Sequence, residues 1–467
     1  MKNIQSLESI KKSVELLIAA SFPLRALIDA LCQVGAVVYL VGGSVRDIFL
    51  NVSVKDLDIE VHKISLETLE SVLKKFGTVN AVGKSFGVLK LDNLPIDWSL
   101  PRFDEAGRRP QVVVDPWMDI KTAFERRDLT INAMGINLTT FELVDPFDGL
   151  NDLKMGVLRT PNPRFFVEDP LRFYRVMQFI GRFEMYPDLV LTKVCRLMDI
   201  SNVSRERIES EFKKLLLQSK RPSIALHWLD EIGRLEEILP ELVATKDILQ
   251  EPDWHPEGDV FEHTLQTIDA AVLFDYASHE EKLMIVYACL CHDLGKISTT
   301  QLIKGRLTAY DHARQGVHYA KSLLKRITNN KTLIDGVCKL VDAHLHPYEF
   351  ITGNASMSAY KRLALKLSPD VTLAMLSKVA FADKQGRNSK RGVPLSTQEP
   401  LLDRFLHNAE RAGVLFSVER PLLQGKDLMP EVQPGPQMGI LVKKAYAIQL
   451  SESIKDKAVL KKLLLKD

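Results

Sequence analysis

Strand signals are confined to the first third of this chain, and helical periodicity fills the rest. Short apolar runs that are typical of strands lie at Ala36–Val41, Leu57–His62, Gly87–Leu91, Ile96–Leu100 and Gly135–Val144. Helical spacing occurs between them, at Val45–Leu50 and Leu66–Lys75. The order of these signals predicts a mixed sheet with helices, followed by an all-helical region, which is an α+β fold.

The helical region divides into several segments. A chain of 467 residues needs more than one core, because single cores rarely grow beyond roughly 250–300 residues. Polar breaks in the periodicity occur near Glu251-Pro252 and over Asn388–Pro400. These breaks predict an N-terminal helical extension at 1–35, a mixed-sheet head at 36–150, and three helical segments at 151–250, 251–390 and 391–467.

Composition excludes several classes of protein. Hydrophobic residues form 46% of the chain and charged residues 26%, which is typical of a globular protein and not of a disordered one. The formal net charge of +2 is compatible with a nucleic-acid partner, because basic residues can cluster on one face. Met1–Ala20 lacks the continuous apolar segment of a signal peptide, and no apolar run reaches membrane-spanning length. We therefore expect a cytoplasmic protein with no membrane partner and no stable protein partner.

Two glycines and two aspartates accompany the first two predicted strands. Gly42 and Gly43 stand between a strand and a helix, where backbone N–H groups can hold phosphate. Asp56 and Asp58 are two residues apart on a predicted strand, so both side chains leave the same face. Such carboxylates repel each other unless a cation lies between them, and Mg²⁺ is the usual solution. We expect both aspartates to be catalytic Mg²⁺ ligands, and Glu60 to be a further ligand or a solvated edge of the strand.

The motifs occur in an order that resembles class II tRNA nucleotidyltransferases and bacterial poly(A) polymerases. The first family motif is G-G-x-V-R-D followed by D-x-D, and Asn51 stands where the family usually has glycine. Asparagine tolerates the left-handed conformation of a helix C-cap, so the departure is small. The matching segments are Gly42–Asp47 with Asp56–Asp58, Arg126–Ala133, Asp145–Gly149, Glu168–Arg172, and Ser204–Arg207 with Glu211.

The resemblance implies a role for each residue that matches a motif. Asp128 and Asn132 would contact ribose hydroxyls, and Arg127 would contact the triphosphate of the incoming nucleotide. Further nucleotide contacts would come from Gly42, Gly43, Arg46, Asp169, Arg172 and Arg175. The resemblance also implies a polymerase-β-like nucleotidyltransferase head at 36–150 and a helical neck and body at 151–250 that binds RNA and nucleotide.

Asp169 and Arg172 carry the prediction of base specificity. They lie three residues apart at the start of a predicted helix, Pro170–Phe183, on one face. A carboxylate only accepts hydrogen bonds and a guanidinium only donates them, so the pair fits an amino group beside a ring nitrogen. Cytosine and adenine offer that edge, whereas uracil and guanine place a carbonyl opposite the carboxylate. The alternative is a local ion pair at a helix start.

These motifs together imply template-independent addition of C, C and A to the 3′ end of tRNA, from CTP and ATP, by a two-metal mechanism. A bacterial poly(A) polymerase, or an enzyme that adds only CC or only A, is an alternative. Phe103–Phe124 is long enough to be a flexible loop that switches the site from C to A, which favours full CCA addition.

Histidines and aspartates in the segment 251–390 have the spacing of metal ligands. Imidazole and carboxylate groups can together hold a divalent ion. His292 and Asp293 are adjacent at the end of an apolar helix, with His263 upstream and Asp383 downstream. His312 and His344 could complete a second metal site. Other histidines, such as His62 and His227, are expected to be structural or surface residues.

This order resembles the HD phosphohydrolase superfamily, which implies that His263, His292, Asp293 and Asp383 are the core metal ligands. Trp254–Glu257 resembles the segment that enters this domain in CCA-adding enzymes. The resemblance implies that 251–390 binds a divalent transition metal, such as Ni²⁺ or Mn²⁺, and hydrolyses phosphoesters such as 2′,3′-cyclic phosphates. An RNA-binding HD phosphohydrolase with a non-catalytic head, or an RNA-docking protein, is an alternative of another class. Asp56 and Asp58 argue against it, because a binding module gains nothing from an unneutralised acidic pair.

Overall fold

The computed structural model describes residues 4–20, 23–54, 57–83, 87–92, 94–104, 112–390, 392–429 and 431–465. The chain forms two compact units, Met1–Val203 and Ser204–Asp467. The first unit contains the strands of the head, and the second is mostly helical. No helix within the described ranges is both long and apolar enough to cross a membrane.

The first unit is built on a seven-stranded sheet. Its strands, with two shorter pairs, are β1 Val37–Val41, β2 Leu57–His62, β3 Val79–Gly83, β4 Val88–Leu91, β5 Ile96–Ser99, β6 Arg102–Asp104, β7 Val112–Val114, β8 Gly135–Asn137, β9 Leu143–Val144, β10 Val157–Leu158 and β11 Tyr186–Pro187. The sheet order is β3-β4-β5-β2-β1-β8-β9, and β2 and β5 are its parallel neighbours. Alternate side chains of the central strands, such as Val38, Ile59 and Trp98, are fully buried in the core.

The first unit has nine α-helices among its described residues, and the last four follow the seven-stranded sheet in the chain. The nine helices are α1 Leu7–Ala20, α2 Leu24–Gln33, α3 Gly43–Phe49, α4 Leu66–Leu73, α5 Ile120–Glu125, α6 Gly149–Met155, α7 Pro163–Phe166, α8 Leu171–Phe183 and α9 Leu189–Leu197. Asn51 follows α3 with φ +57°, the left-handed conformation expected of it as a helix C-cap.

The predicted strand Gly135–Val144 is wrong in one respect, because it is a hairpin of β8 and β9. The side chain of Asn137 accepts hydrogen bonds from the backbone N–H groups of Thr139 and Thr140, which turns the chain after β8. Phe141 completes the turn with φ +61°. A polar residue inside an apolar run was the signal for this turn.

The second unit packs a helical core around α14, α15, α18 and α21. Its helices are α10 Arg205–Gln218, α11 Ser223–Glu231, α12 Leu235–Ile238, α13 Pro240–Val243, α14 Val260–Ala271, α15 His279–Cys291, α16 Lys296–Thr299, α17 His312–Ile327, α18 Lys331–Ala343, α19 His346–Thr352, α20 Met357–Leu367, α21 Leu373–Gln385, α22 Pro400–Arg411, α23 Pro436–Glu452 and α24 Lys457–Leu464. Residues Leu283–Cys291 of α15 are all buried, so this helix lies at the centre of the unit.

The prediction that the last two-thirds of the chain is all-helical is wrong at two places. The short strands β10 and β11 pair in parallel within the first unit. Strands β12 Thr300–Ile303 and β13 Arg306–Ala309 form an antiparallel hairpin. Lys304 and Gly305 connect them with φ values of +51° and +78°, a turn whose twist matches that of paired strands. With this correction, the α+β fold with a sheet-containing head followed by helices is confirmed.

Candidate nucleotidyl-transfer and metal sites

The turn after β1 brings together residues from three parts of the head. Gly42 has φ +69° and ψ −136°, a backbone conformation that favours glycine. A Cβ atom built on Gly42 would lie 2.8 Å from Arg127 Nη1 and 3.7 Å from Asp58 Oδ2. The backbone N–H of Asp58 also donates to Ser44 Oγ, at 3.2 Å. Gly42 therefore lets an arginine and an exposed carboxylate approach the same turn.

A second carboxylate lies beside Asp58 on the sheet. Asp97 of β5 is paired with Asp58 across the parallel β2–β5 ladder, so their side chains project from the same face. Asp97 Oδ1 lies 2.6 Å from Lys90 Nζ, and its side chain is 40% exposed. Asp56, the other expected Mg²⁺ ligand, lies outside the described residues. Asp97 was not among the predicted metal ligands, although it is the single acidic residue of the strand Ile96–Ser99.

Glu60 is not a solvated strand edge, because both of its carboxylate oxygens have partners inside the protein. Its side chain is buried, with Oε2 at 2.9 Å from Arg127 Nη2 and Oε1 at 3.0 Å from His62 Nε2. Burial raises the pKa of Glu60, but the charge of Arg127 and the hydrogen bond with His62 outweigh it and lower the pKa overall. An ionised Glu60 therefore holds Arg127 in place against the Gly42 turn.

Four of the predicted nucleotide contacts form one hydrogen-bonded chain. Arg46 Nη1 donates to Asn132 Oδ1 at 2.5 Å, and Asn132 Nδ2 donates to Asp128 Oδ1 at 3.0 Å. Arg175 Nε then donates to Asp128 Oδ2 at 2.6 Å. Arg46 also donates to Asp47 Oδ1, a residue of the first motif for which no role was predicted. The elements that carry these residues are thus tied to one another by polar contacts.

Asp128 is ionised within this chain. Burial raises its pKa, but the charge of Arg175 and the hydrogen bonds from Asn132 and Arg175 lower it to about 2. The guanidinium of Arg46 lies 5.1 Å and 4.9 Å from the ring centroids of Phe179 and Phe183 on α8. The chain is therefore a buried charge network backed by two aromatic rings.

Asp169 and Arg172 both lie at the start of α8, where the Arg172 backbone N–H donates to the Asp169 carbonyl at 3.0 Å. Asp169 Oδ1 accepts a hydrogen bond from the Leu171 backbone at 3.1 Å. Arg172 donates through Nη1 to the Phe165 carbonyl and through Nη2 to the Arg126 carbonyl, each at 2.6 Å. These bonds fix the guanidinium, and a guanidinium has five donors, so others remain for a base.

In the second unit, four predicted ligands converge on one point. His263 lies on α14, His292 and Asp293 follow α15, and Asp383 lies on α21. His263 Nε2 is 3.2 Å from His292 Nε2 and 3.2 Å from Asp383 Oδ1, and His292 Nε2 is 3.3 Å from Asp293 Oδ2. All four side chains are buried. The structure thus brings residues from three helices within the reach of a single ion.

A second group of ligands shares Asp293 with the first. Asp293 Oδ1 lies 3.3 Å from His312 Nε2, which lies 3.3 Å from His344 Nε2. The potential ligand atoms of Asp293, His312 and His344 all lie within 4.8 Å of one another. Each carboxylate oxygen of Asp293 thus faces a different histidine group, so Asp293 could serve as a ligand for a metal ion in either group.

Backbone carbonyls orient the histidines of both groups. Nδ1 of His292, His312 and His344 each lies 2.7 Å from a carbonyl oxygen, of Cys289, Ala309 and Val341 respectively. Donation from Nδ1 leaves Nε2 as the acceptor, and the Nε2 atoms point toward one another. Burial also lowers the pKa of His344 to about 3 and lowers that of His312. Burial lowers the pKa of His263, but hydrogen bonds with Asp383 and Glu257 outweigh it and raise the pKa to about 9, so this imidazole would release a proton on binding a metal ion. Neutral imidazoles and ionised carboxylates are the donor set that divalent transition metals prefer, so the residues fit such an ion.

Three further charged side chains contact the candidate metal ligands. No role was predicted for them from the sequence. Lys296 Nζ lies 2.7 Å from Asp293 Oδ2, and Arg387 Nη2 lies 2.7 Å from Asp383 Oδ1. Glu257 Oε1 lies 2.7 Å from His263 Nδ1. Glu257 belongs to the segment quoted for its resemblance, and Lys296 follows His292-Asp293 closely, so both had a sequence signal.

Comparison with known proteins decides the family. The family models for the poly A polymerase head domain, the probable RNA- and SrmB-binding site of polymerase A, and the HD domain match residues 38–159, 194–245 and 260–380. A multifunctional CCA protein of Pasteurella multocida is 30% identical over 401 residues, which cover 83% of this chain and 92% of that protein. The chain belongs to the multifunctional CCA protein family. The resemblance expected from the sequence motifs is therefore confirmed.

Other members and solved structures agree with this placement. A multifunctional CCA protein of Neisseria meningitidis serogroup A is 31% identical over 369 residues, covering 76% of this chain and 84% of that protein. The Bacillus stearothermophilus CCA-adding enzyme in complex with CTP has a TM-score of 0.62 at 18% identity, with 94% of this chain and 95% of that chain covered. The Thermotoga maritima CCA-adding enzyme complexed with tRNA has a TM-score of 0.56 at 19% identity, covering 100% and 99%. Because the sequence identities are below 20%, the likeness to these two structures establishes the fold alone.

Proposed function

We propose that this protein adds C, C and A to the 3′ end of tRNA, using CTP and ATP and releasing pyrophosphate. The observation that carries the proposal is the approach of Asp58 and Arg127 to the same turn at Gly42, which places a candidate metal ligand near a guanidinium that could bind phosphate. The family's curated members are multifunctional CCA proteins, and CCA-adding enzymes in complex with CTP, with ATP and with tRNA share the fold. We place the reaction in the cytoplasm, where tRNA is matured.

Asp56 and Asp58 are the proposed Mg²⁺ ligands of the head, and we add Asp97 because of its register with Asp58. Mg²⁺, when bound, would supply charge neutralisation and activation of the 3′-hydroxyl in a two-metal mechanism. Arg127, held by Glu60, would bind the triphosphate. Gly42 and Gly43 let the phosphates approach the backbone.

The chain from Arg46 through Asn132 and Asp128 to Arg175 would bind the ribose and position the nucleotide. An amide and a carboxylate that are already fixed by other hydrogen bonds lose little entropy when they bind ribose hydroxyls. Asp169 and Arg172 would read the base at the start of α8. Their donor and acceptor pattern accepts C and A, and a mismatched base would leave a charged group unpaired at a cost of about 1–3 kcal/mol.

We also propose a phosphohydrolase activity for the HD domain, because Asp293 joins two groups of buried ligands. The first metal would be held by His263, His292, Asp293 and Asp383, and the second by Asp293, His312 and His344. A divalent transition metal such as Mn²⁺ or Ni²⁺ would activate water for attack on a phosphoester. Hydrolysis of a terminal 2′,3′-cyclic phosphate would prepare damaged tRNA ends for nucleotide addition.

These roles divide the chain into five segments. We infer a helical extension at 1–35, the nucleotidyltransferase head at 36–150, a neck and body that bind RNA and nucleotide at 151–250, the HD domain at 251–390, and a C-terminal helical tail at 391–467. The tail forms its own small core from Leu423, Leu428, Ala445, Leu460 and Leu464.

One experiment tests the proposed addition directly. The protein is incubated with tRNA that lacks its last three nucleotides, in the presence of CTP, ATP, both or all four nucleotides, and the 3′ ends are sequenced. We expect CC with CTP alone and a single CCA end with both. Long adenosine tails would identify a poly(A) polymerase instead. Ends that stop at CC when both CTP and ATP are present would identify a CC-adding enzyme. An unchanged tRNA in every mixture would refute the addition of C, C and A.

A further inference from the structure

A cavity of about 1060 Å³ lies in the second unit, and its described wall contains none of the proposed metal ligands or nucleotide contacts. Most of the wall comes from helices α15, α18, α21 and α22, together with the segments 397–399 and 415–416. We call this cavity the α21–α22 groove. Its size is at the upper end for small-molecule sites. Because its regular elements are helices, an entering chain would meet side chains and not the edge of a strand, which favours a helix laid into a groove.

The deeper part of the groove is apolar. Met284, Met375 and Leu402 line it and are almost fully buried, whereas Phe416 lines it with a side chain that is 74% exposed. Methionine adapts to partners of different shape, and an exposed aromatic side chain beside buried apolar ones offers a large contact area. The lining therefore suits the apolar side chains of a partner.

The backbone beside Phe416 is fixed by contacts with both helices that name the groove. The Leu415 carbonyl accepts a hydrogen bond from the Ala374 backbone at the start of α21, at 3.2 Å. The Val414 backbone N–H donates to the Ala409 carbonyl of α22, at 3.0 Å. An aromatic side chain that is exposed on a fixed backbone loses less entropy on binding than one on an untethered segment.

The charged side chains of the groove are mainly acidic. Its wall includes four carboxylates and one lysine, namely Glu281, Asp370, Glu399, Asp403 and Lys378. Lys378 Nζ lies 2.8 Å from Glu281 Oε1 and donates to the Asp275 carbonyl at 2.7 Å. This lysine therefore neutralises the carboxylate beside it and does not offset the other three.

Those three carboxylates are only weakly compensated by nearby cations. Asp370 lies 3.8 Å from Lys339 Nζ, and Glu399 lies 4.0 Å from Lys384 Nζ, which is longer than a close charge-assisted hydrogen bond. Asp403 is exposed on the first turn of α22. A negative wall attracts cationic side chains and repels the phosphates of RNA, so the groove does not suit the tRNA substrate.

We propose that the α21–α22 groove binds an amphipathic helix of a protein partner. The apolar face of that helix would contact Phe416 and the methionines, and lysine or arginine side chains beside that face would meet Asp370, Glu399 and Asp403. The groove is then a docking site for a basic protein, separate from nucleotide addition and from phosphoester hydrolysis.

The test measures binding of a synthetic peptide to the full-length protein by fluorescence anisotropy. The probe is a fluorescein-labelled peptide of leucine and lysine, about 18 residues long so that it can form a helix, with its leucines at helical spacing. One comparison peptide has the same composition in an order that gives no apolar face, and another has glutamate in place of lysine. We expect the basic amphipathic peptide to bind roughly tenfold or more tightly than either, with an affinity that falls as salt is raised.

A pair of aromatic variants locates the binding site. Phe416→Ala should weaken peptide binding about 30-fold, the loss typical of an aromatic hot spot at an interface. Phe416→Leu keeps an apolar side chain and should lose less. Tyr310→Ala removes an aromatic side chain of the same unit that is also 74% exposed but does not line the groove, so it is the matched control.

A pair of charge variants tests the acidic wall. Asp370→Asn combined with Asp403→Asn should weaken binding several-fold at low salt and little at high salt, because these carboxylates act through charge. Glu236→Gln combined with Glu452→Gln removes two exposed acids of the same unit that do not line the groove, and it should leave binding unchanged.

Several outcomes would overturn the proposal. One is a failure of the basic amphipathic peptide to bind, or equal binding of all three peptides. Another is binding that Phe416→Ala leaves unchanged, because the peptide would then lie elsewhere. A small organic cation, such as phenylethylammonium, that displaces the peptide at equal concentration would identify a small-molecule site instead. Sedimentation of the protein alone tests the last occupant, since dimers that Phe416→Ala dissociates would assign the groove to a second copy of this chain.

Discussion

Glu257 Oε1 lies 2.7 Å from His263 Nδ1, and both side chains are fully buried. The same oxygen lies 2.9 Å from His255 Nδ1. Burial raises the pKa of Glu257, but the hydrogen bonds from His255 and His263 lower it to about 2. An ionised carboxylate behind a metal-binding histidine fixes its tautomer and raises its basicity. We therefore expect Glu257 to be a positioning residue for the candidate metal ligand His263.

Replacing Glu257 tests that role. Glu257→Ala should weaken Mn²⁺ binding roughly 10- to 100-fold, the usual effect of losing a partner behind a ligand. Glu257→Gln keeps an oxygen acceptor and should lose less. Metal content after dialysis against graded chelator measures the affinity, and Glu280→Gln, at an exposed position, is the control. Metal binding that is unchanged in Glu257→Ala would contradict the assignment.

The bridging position of Asp293 predicts the metal content of the HD domain. The wild type should bind a pair of Mn²⁺ ions, and His344→Ala should lose one of them, because His344 belongs to the second group alone. His292→Ala combined with Asp293→Ala should lose both ions and the hydrolysis of 2′,3′-cyclic phosphates. Elemental analysis counts the ions. CCA addition should survive in the double variant, and a parallel loss of both activities in a folded protein would contradict separate sites.

The carboxylates of the head should control chemistry and not tRNA binding. Asp58→Ala should abolish nucleotide addition and leave the affinity for tRNA nearly unchanged, because Asp58 would bind metal. Asp97→Asn should lower kcat by about a hundredfold, since removing charge stabilisation of the transition state typically costs that much. Single-turnover rates measure both effects, and Asp92→Asn, at an exposed acid of the same sheet region, is the control. A normal rate in Asp97→Asn would remove it from the metal site.

Arg172→Ala should reduce the efficiency with both CTP and ATP. Loss of one contact to the base should cost on the order of a hundredfold, and exclusion of UTP should weaken at the same time. Because Arg172 also binds the Phe165 and Arg126 carbonyls, thermal unfolding of the variant is measured beside the single-turnover rates for all four nucleotides. Arg164→Ala, at an exposed arginine of α7, is the control. If the variant kept its rates with CTP and ATP, or lost only one of them, Asp169 and Arg172 would instead be a structural helix cap.

Asp128 should make the head sensitive to acid. Its pKa of about 2 in the folded protein lies below the ordinary value of 3.8, so the ionised form stabilises the fold. That stabilisation, about 2 kcal/mol, is fully present above pH 4 and is lost as the pH falls toward 2. Asp128→Asn removes the ionisable group, so its urea midpoint should fall less between pH 5 and pH 3 than that of the wild type. Equal slopes for the two proteins would contradict an ionised Asp128.

Some features of this protein follow from the sequence alone. Strand β2 begins and ends where the apolar run Leu57–His62 predicted, and His292-Asp293 stand at the end of an apolar helix as expected. Spacing within one element is a local property, so Asp169 and Arg172 also lie together at the start of α8 as predicted. The motif order was enough to identify the family, because each motif is a short contiguous stretch.

Only the tertiary structure decides which distant residues share a site. The parallel pairing of β2 with β5 places Asp97 beside Asp58, and no periodicity within either strand fixes that register. Glu60 forms an ion pair with Arg127 because a buried, ionised carboxylate needs a partner inside the protein. The packing of α14, α15, α17, α18 and α21 gives Asp293 one oxygen for each histidine group. Sequence supplied the types of ligand, whereas strand register and helix packing determined which of them meet.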